Sequence, residues 1–160
     1  MFGGNERMKL RMKDWKKDRI ASALGGTNPT MLRRMKSGIA VLGDTQFLPG
    51  YCVLIAYPKA ADLNALTPEG RAQFLLDMAR VGDAIGGVCR PERINYEILG
   101  NTDAFLHAHI FPRYAWEEEE HRRMPVWLYP KENWSLPEYR FDPEKHGALR
   151  QALADALARG

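Results

Sequence analysis

A chain of 160 residues suits one domain with a single core. Its 45% hydrophobic and 27% charged residues are an ordinary globular balance, and a net charge of +3 is too mild to argue for nucleic acid. No run approaches a membrane span, and no apolar stretch long enough for a signal peptide follows the basic N-terminus. The expectation is a soluble cytoplasmic protein with neither membrane nor nucleic acid as partner.

The charge is unevenly placed. Lys9, Arg11, Lys13, Lys16, Lys17 and Arg19 crowd the N-terminal arm, Arg33, Arg34 and Lys36 follow, and Glu117 to Glu120 form an acidic run. This is either two solvated faces or a basic rim that attracts anionic substrates. Cys52 and Cys89 sit in apolar contexts without disulfide or zinc-knuckle spacing. They read as buried, inert thiols of a reducing compartment.

In chain order, residues 1–8 read as a loose arm. Residues 13–24 read as a helix with Trp15, Ile20, Ala23 and Leu24 on its apolar side, stopped by Gly25-Gly26. A short helix is expected over 29–36, entered through Asn28 with Pro29 in its first turn. Ile39 to Leu42 and Tyr51 to Tyr57 read as two strands of a hairpin, with Gly43-Asp44 as a turn after the first and Pro58 ending the second. Thr67-Pro68-Glu69 opens the best helix, with Phe74, Leu75, Met78, Val81, Ile85 and Val88 as its core stripe and Gly86-Gly87 weakening its end.

Ile94 to Leu99 reads as a strand, Gly100-Asn101 as a turn, and Ala104 to Phe111 as a strand stopped by Pro112. Residues 113–141 are irregular and rich in Trp, Tyr and Pro. Asp142-Pro143-Glu144 opens a last helix with Leu149, Leu153, Ala156 and Leu157 as its apolar positions. These elements describe an α+β domain, an antiparallel meander with helices packed on it.

Chemistry concentrates in Leu106-His107-Ala108-His109-Ile110. On a strand, residues two apart share a face, so His107 and His109 project together while Leu106, Ala108 and Ile110 enter the core. The turn before them carries Gly100, Asn101 and Thr102, and Arg113 follows with its forked donors. An imidazole nucleophile, small polar donors and an arginine are what phosphoryl or nucleotidyl transfer needs. A lone His-x-His is also a structural pair or half of a zinc site. His121 and a carboxylate of the acidic run would be the remaining zinc ligands.

The segment Asn95-Tyr-Glu-Ile-Leu-Gly-Asn-Thr-Asp-Ala-Phe-Leu-His-Ala-His-Ile-Phe-Pro-Arg113 resembles the signature of the histidine-triad (HIT) superfamily. That motif is His-x-His-x-His followed by two apolar residues, often then Pro-Arg. His107 falls on the middle histidine, His109 on the last, Ile110-Phe111 on the apolar pair and Pro112-Arg113 on the last pair. Phe47-Leu48-Pro49-Gly50-Tyr51 and the strand after it also resemble the family. The first histidine position holds Phe105, which cannot donate, accept or carry a proton.

The resemblance divides the chain into a basic helical extension (1–37), a HIT-like core with an antiparallel sheet and a long packed helix (38–114), and a C-terminal tail and helix of the same domain (115–160). It implies a nucleotide hydrolase or nucleotidyl transferase that forms a covalent nucleotidyl-histidine at His107. The substrate would be a phosphoanhydride of the diadenosine polyphosphate kind or a nucleoside phosphoramidate. His109 would support geometry and phosphate contacts, and Thr102 would lie near the leaving group. Asn95, Asn101, Asp44 and Arg113 would bind the nucleotide, with Asp44 accepting from ribose hydroxyls. The family implies a homodimer and no catalytic metal or cofactor. Phe105 also leaves open a nucleotide-binding module that has lost turnover. Trp116, Trp127 and Trp134 are candidates for core, dimer contact or base stacking.

Overall fold

A computed structural model describes residues 14–160. The loose arm and the cations Lys9, Arg11 and Lys13 lie outside the described residues. Helix α1 is Arg19–Leu24, shorter than expected, because Asp14 to Lys17 form a turn and the Asp18 side chain caps the helix by accepting from Ala21 N at 2.9 Å. Gly25 closes it and Gly26 follows at φ +75°.

The expected helix over 29–36 is instead strand β1, Met31–Arg34. Asn28 does not cap a helix. Its side-chain oxygen accepts from Thr30 N at 2.9 Å and Thr30 Oγ1 at 2.6 Å, a turn that sends the chain out extended. The extended segment then pairs with β2 (Gly38–Leu42), Met31 opposite Val41 and Arg34 opposite Ile39. Satisfying the open edge of β2 outweighs the weak helical preference of Met-Leu-Arg-Arg.

Strands β2 and β3 (Cys52–Ala56) form the expected antiparallel pair, from Leu42 opposite Cys52 to Gly38 opposite Ala56. Gln46 holds the loop between them. Its amide donates to Gly43 O and Tyr51 O at 3.0 and 2.9 Å, and its oxygen accepts from Gly50 N at 2.9 Å. Gly50 has φ +99° and lies where a Cβ would stand 2.6 Å from Cys89 Sγ, so glycine is required twice over.

Helix α2 spans Pro68–Cys89, and Thr67 caps it by accepting from Gly70 N at 3.1 Å. Phe74, Val81 and Ile85 are fully buried and Met78 and Val88 pack beside them. Leu75 is 39% exposed and so lies outside the expected stripe. The helix runs through Gly86-Gly87. Buried Asp77 accepts from Ser37 N, Ser37 Oγ and Gln73 Nε2 at 2.8, 2.6 and 2.9 Å, tying α2 to the turn before β2.

Strands β4 (Arg93–Glu97) and β5 (His107–Arg113) complete a five-stranded antiparallel sheet ordered β1-β2-β3-β5-β4. Contrary to expectation, β5 passes through Pro112. Its pairing with β3 ends at Ile110 opposite Cys52, so the missing N–H breaks no bond to β3. Residues 114–141 form a wrap of short helical turns, including α3 (Glu119–Arg122), before α4 (Pro143–Arg159), which Asp142 caps.

The sheet has two unlike faces. Ala40, Leu42, Cys52, Leu54, Ala108 and Ile110 face α2 and α4 in the main core. The opposite face carries Ile39, Val41, Ile55, His107 and His109. There α1 packs through Ala23 at one end, and the 114–141 wrap packs through Tyr114 and Val126 on Phe47 and Phe111 at the other. Among the described residues no helix is long and apolar enough to cross a membrane.

Candidate active site

Between α1 and the wrap lies a cavity of about 640 Å³. His107 and His109 form part of its wall, beside Ile55 and Val53, the residues they oppose on β3. Their rings are 4.9 Å apart and nearly perpendicular, at 77°. Leu106, Ala108 and Ile110 point the other way and are buried.

His107 is buried, with Nδ1 2.8 Å from the carbonyl oxygen of Phe105. A carbonyl only accepts, so Nδ1 carries a proton, and in the uncharged ring the lone pair is on Nε2. His109 Nδ1 lies 2.7 Å from the Tyr51 hydroxyl. Burial, with neighbouring His107 adding to it, pushes His109 down to about 4 despite an opposing pull from Asp103. It is therefore uncharged at neutral pH. Burial, and then the charge of Asp44, push the Tyr51 phenol well above the ordinary tyrosine range.

The turn residues Asn101 and Thr102 also line the cavity, on an exposed loop that Gly100 enters at φ +75°. Asp44 lies on the same wall, where Arg19 of α1 grips it; Nη1 to Oδ1 is 2.5 Å and Nη2 bonds Oδ2. Phe105 lines the cavity too, its ring 4.9 Å from that of His107 and the Lys59 ammonium 4.9 Å above it.

Two expected ligands are elsewhere. Arg113 and Asn95 share the histidine face but lie beyond the cavity, beneath the wrap. Arg113 donates to Asn95 Oδ1, Met124 O, His121 O and Glu117, at 2.9, 2.7, 2.7 and 3.0 Å. Burial alone would raise the Glu117 carboxyl. Bonds from Arg113, the Tyr129 hydroxyl and Tyr114 N outweigh it and hold Glu117 below its usual range. This network anchors the wrap. His121 stacks on Tyr129 within the wrap, and among the described residues no three His, Cys, Asp or Glu cluster as a metal would need, so the zinc arrangement is not assembled.

Sequence reasoning missed Arg19, Tyr51 and Glu97 as parts of this neighbourhood. Glu97 lies opposite His109 on β4 and accepts from Trp127 Nε1. Trp127 meets His109 edge-on at 4.9 Å and stacks on Trp134 at 4.7 Å, and both indoles line the cavity. The tryptophans were visible as candidates, but nothing in the sequence selected these two over Trp116, which stacks on Tyr114.

No protein-family model matches the chain, and neither does any curated protein. Solved structures do. A histidine-triad protein from Marinobacter aquaeolei superposes with a TM-score of 0.68 at 17% identity, covering 89% of this chain and 94% of the other. This chain has the histidine-triad fold. A histidine-triad protein from Sinorhizobium meliloti gives 0.64 at 19% identity over 81% and 87% of the two chains. A hypothetical histidine-triad nucleotide-binding protein from Sulfolobus tokodaii gives 0.64 at 11% identity over 88% and 92%.

Proposed function

We propose that the protein is a nucleotide hydrolase or nucleotidyl transferase whose nucleophile is His107. One observation carries this reading: Nδ1 of His107 is committed to the Phe105 carbonyl, so its other nitrogen holds a lone pair beside a cavity of nucleotide size. The Nε2 pair attacks the α-phosphorus of a phosphoanhydride, of the diadenosine polyphosphate kind, or of a nucleoside phosphoramidate. A P–N bond forms, the bond to the leaving oxygen or nitrogen breaks, and the leaving group takes a proton from solvent. The imidazolium so formed is stabilised by its Nδ1–H bond to Phe105 O. Water then attacks phosphorus, the P–N bond breaks, the nucleoside monophosphate leaves and a proton returns to solvent.

His109, Asn101 and Thr102, which line the cavity, donate to the phosphate in this scheme, and Asp44, on the same wall, accepts from ribose hydroxyls. The scheme calls on no metal. Buried Arg113 and half-buried Asn95, bonded to each other outside the cavity, have no part in it. A second copy of the chain would pair along β4, one of the sheet's two outer strands, beside exposed Tyr96 and Leu76. Free Cys52 and Cys89 suit a reducing compartment such as the cytoplasm.

Incubation with diadenosine polyphosphates and an adenosine phosphoramidate, followed by mass spectrometry of acid-protected peptides, tests the reading. A nucleotidyl group on the His107 peptide, lost in His107→Ala, is expected. Undiminished turnover in His107→Ala would rule the nucleophile out. Phe105 favours a second reading, a binding module without turnover, because it puts a ring that cannot handle protons where the histidine-triad motif has its first imidazole. AMP binding without adduct or hydrolysis, unimproved by Phe105→His, would establish it.

A further inference from the structure

His107 and His109 are held by different kinds of partner. A backbone carbonyl holds Nδ1 of His107, while a phenol lies against Nδ1 of His109. We infer that Tyr51 is a positioning residue that locks His109 as the Nε2–H tautomer, so that the pair offers one lone pair and one N–H to the same phosphate. The catalytic meaning of this rests on the nucleotidyl-transfer reading; the tautomer itself does not.

Tyr51 is only 7% exposed. Its ring stacks on Phe111 at 4.1 Å and 14°. Its backbone is fixed as well, with O accepting from Gly43 N at 2.8 Å and from Gln46 Nε2 at 2.9 Å, and N donating to Leu48 O at 3.1 Å. The hydroxyl therefore stands where the loop places it. Among the described residues its hydrogen-bond partner is His109. If Nδ1–H donated to the phenol oxygen, the hydroxyl proton would be left without an acceptor beside a buried ring. When the phenol donates, both groups are satisfied and the imidazole proton moves to Nε2.

The surroundings keep the ring neutral. The charged groups facing it are Asp103 on the turn and Glu97 opposite on β4, whose carboxylate is engaged by Trp127. His107, Phe111 and Trp127 cover the ring at 4.9, 6.0 and 4.9 Å. A hydrogen bond donated to Nδ1 stabilises the uncharged ring further. His109 is thus a standing donor aimed at developing phosphate charge, not a base that competes with His107 for protons. Phe105, which can exchange no proton, is compatible with this division of labour.

Nitrogen-15 NMR of the histidines in the full-length chain tests the assignment. The wild type is expected to show His109 as the Nε2–H tautomer at pH 7. Tyr51→Phe should give a tautomer mixture and a higher titration midpoint. Kinetics give an independent arm. His109→Ala should slow adduct formation roughly 100-fold, the usual order for a lost oxyanion donor. His109→Gln, which keeps an N–H but cannot carry charge, should stay within about tenfold of wild type. An Nδ1–H tautomer in the wild type, spectra unchanged by Tyr51→Phe, or a glutamine variant as slow as alanine would overturn the inference. Absence of any nucleotidyl adduct on the wild type would overturn the transferase reading alone, since the spectra decide the tautomer separately.

Discussion

The guanidinium of Arg19 spans both carboxylate oxygens of Asp44 on the wall of the histidine cavity. The two side chains are 37% and 43% exposed, so solvent and salt screen the pair. A double-mutant cycle of Arg19→Ala and Asp44→Ala should give a coupling of roughly 0.2–1 kcal/mol in urea unfolding, vanishing at high salt. Asp44→Ala should also weaken AMP binding about tenfold by removing a charged acceptor for hydroxyls. Calorimetry that finds unchanged affinity would remove Asp44 from the ribose role.

Arg113 should matter to stability rather than to binding. It is buried against Glu117, and removing it strands a carboxylate with side-chain exposure of 0%. Arg113→Ala should cost about 3–5 kcal/mol in denaturant unfolding, with little change in KM for the protein that remains folded. A rise in KM at unchanged stability would reverse this placement.

Glu117 and His109 set opposite ends of the acid response. Glu117 has a depressed folded value, so its stabilisation is present above the unfolded carboxyl value near 4.3 and is lost as pH falls through the folded one. His109 is held down to about 4. An unfolded histidine takes a proton near pH 6.5, so the unfolded chain gains a proton the folded chain refuses, and stability falls from about pH 6.5 toward 4. His146, lowered chiefly by burial, acts in the same direction. His109→Gln should flatten this slope by at most about 1.4 kcal/mol per pH unit. Equal slopes for variant and wild type between pH 5 and 6.5 would contradict the buried neutral ring.

Phe105→Ala should leave His107 oriented, because the bond to Nδ1 comes from the backbone carbonyl and survives the loss of the ring. Adduct formation is expected within about tenfold of wild type, against the ~100-fold drop typical when a direct transition-state contact is lost. The lost packing should lower stability by about 1–3 kcal/mol. A collapse of adduct formation at intact fold would show that the ring itself orders the nucleophile.

Alternation on β5 was enough to separate the histidine face from the core, because a strand's period of two admits one assignment when Leu106, Ala108 and Ile110 must be buried. The caps at Thr67 and Asp142 were equally legible, since a short polar side chain before proline at the first turn is a local signal. Residues 29–36 misled because nothing nearby in sequence reveals the open edge of β2 that recruits them. The partners of Arg113 were illegible for a related reason: its motif position is local, but Glu117, Met124 and His121 reach it only when the wrap returns over the sheet.

By itself, then, the amino-acid order determined the α+β class, the hairpin, the long helix and the side-by-side imidazoles, all products of short-range periodicity and capping. Only the tertiary structure decided which nitrogen of each imidazole is held, that Arg19 reaches Asp44, and that Trp127 and Trp134 rather than Trp116 wall the cavity. Those choices are made by groups far apart along the chain, and they acquire neighbours only when α1 and the 114–141 wrap fold over one face of the sheet.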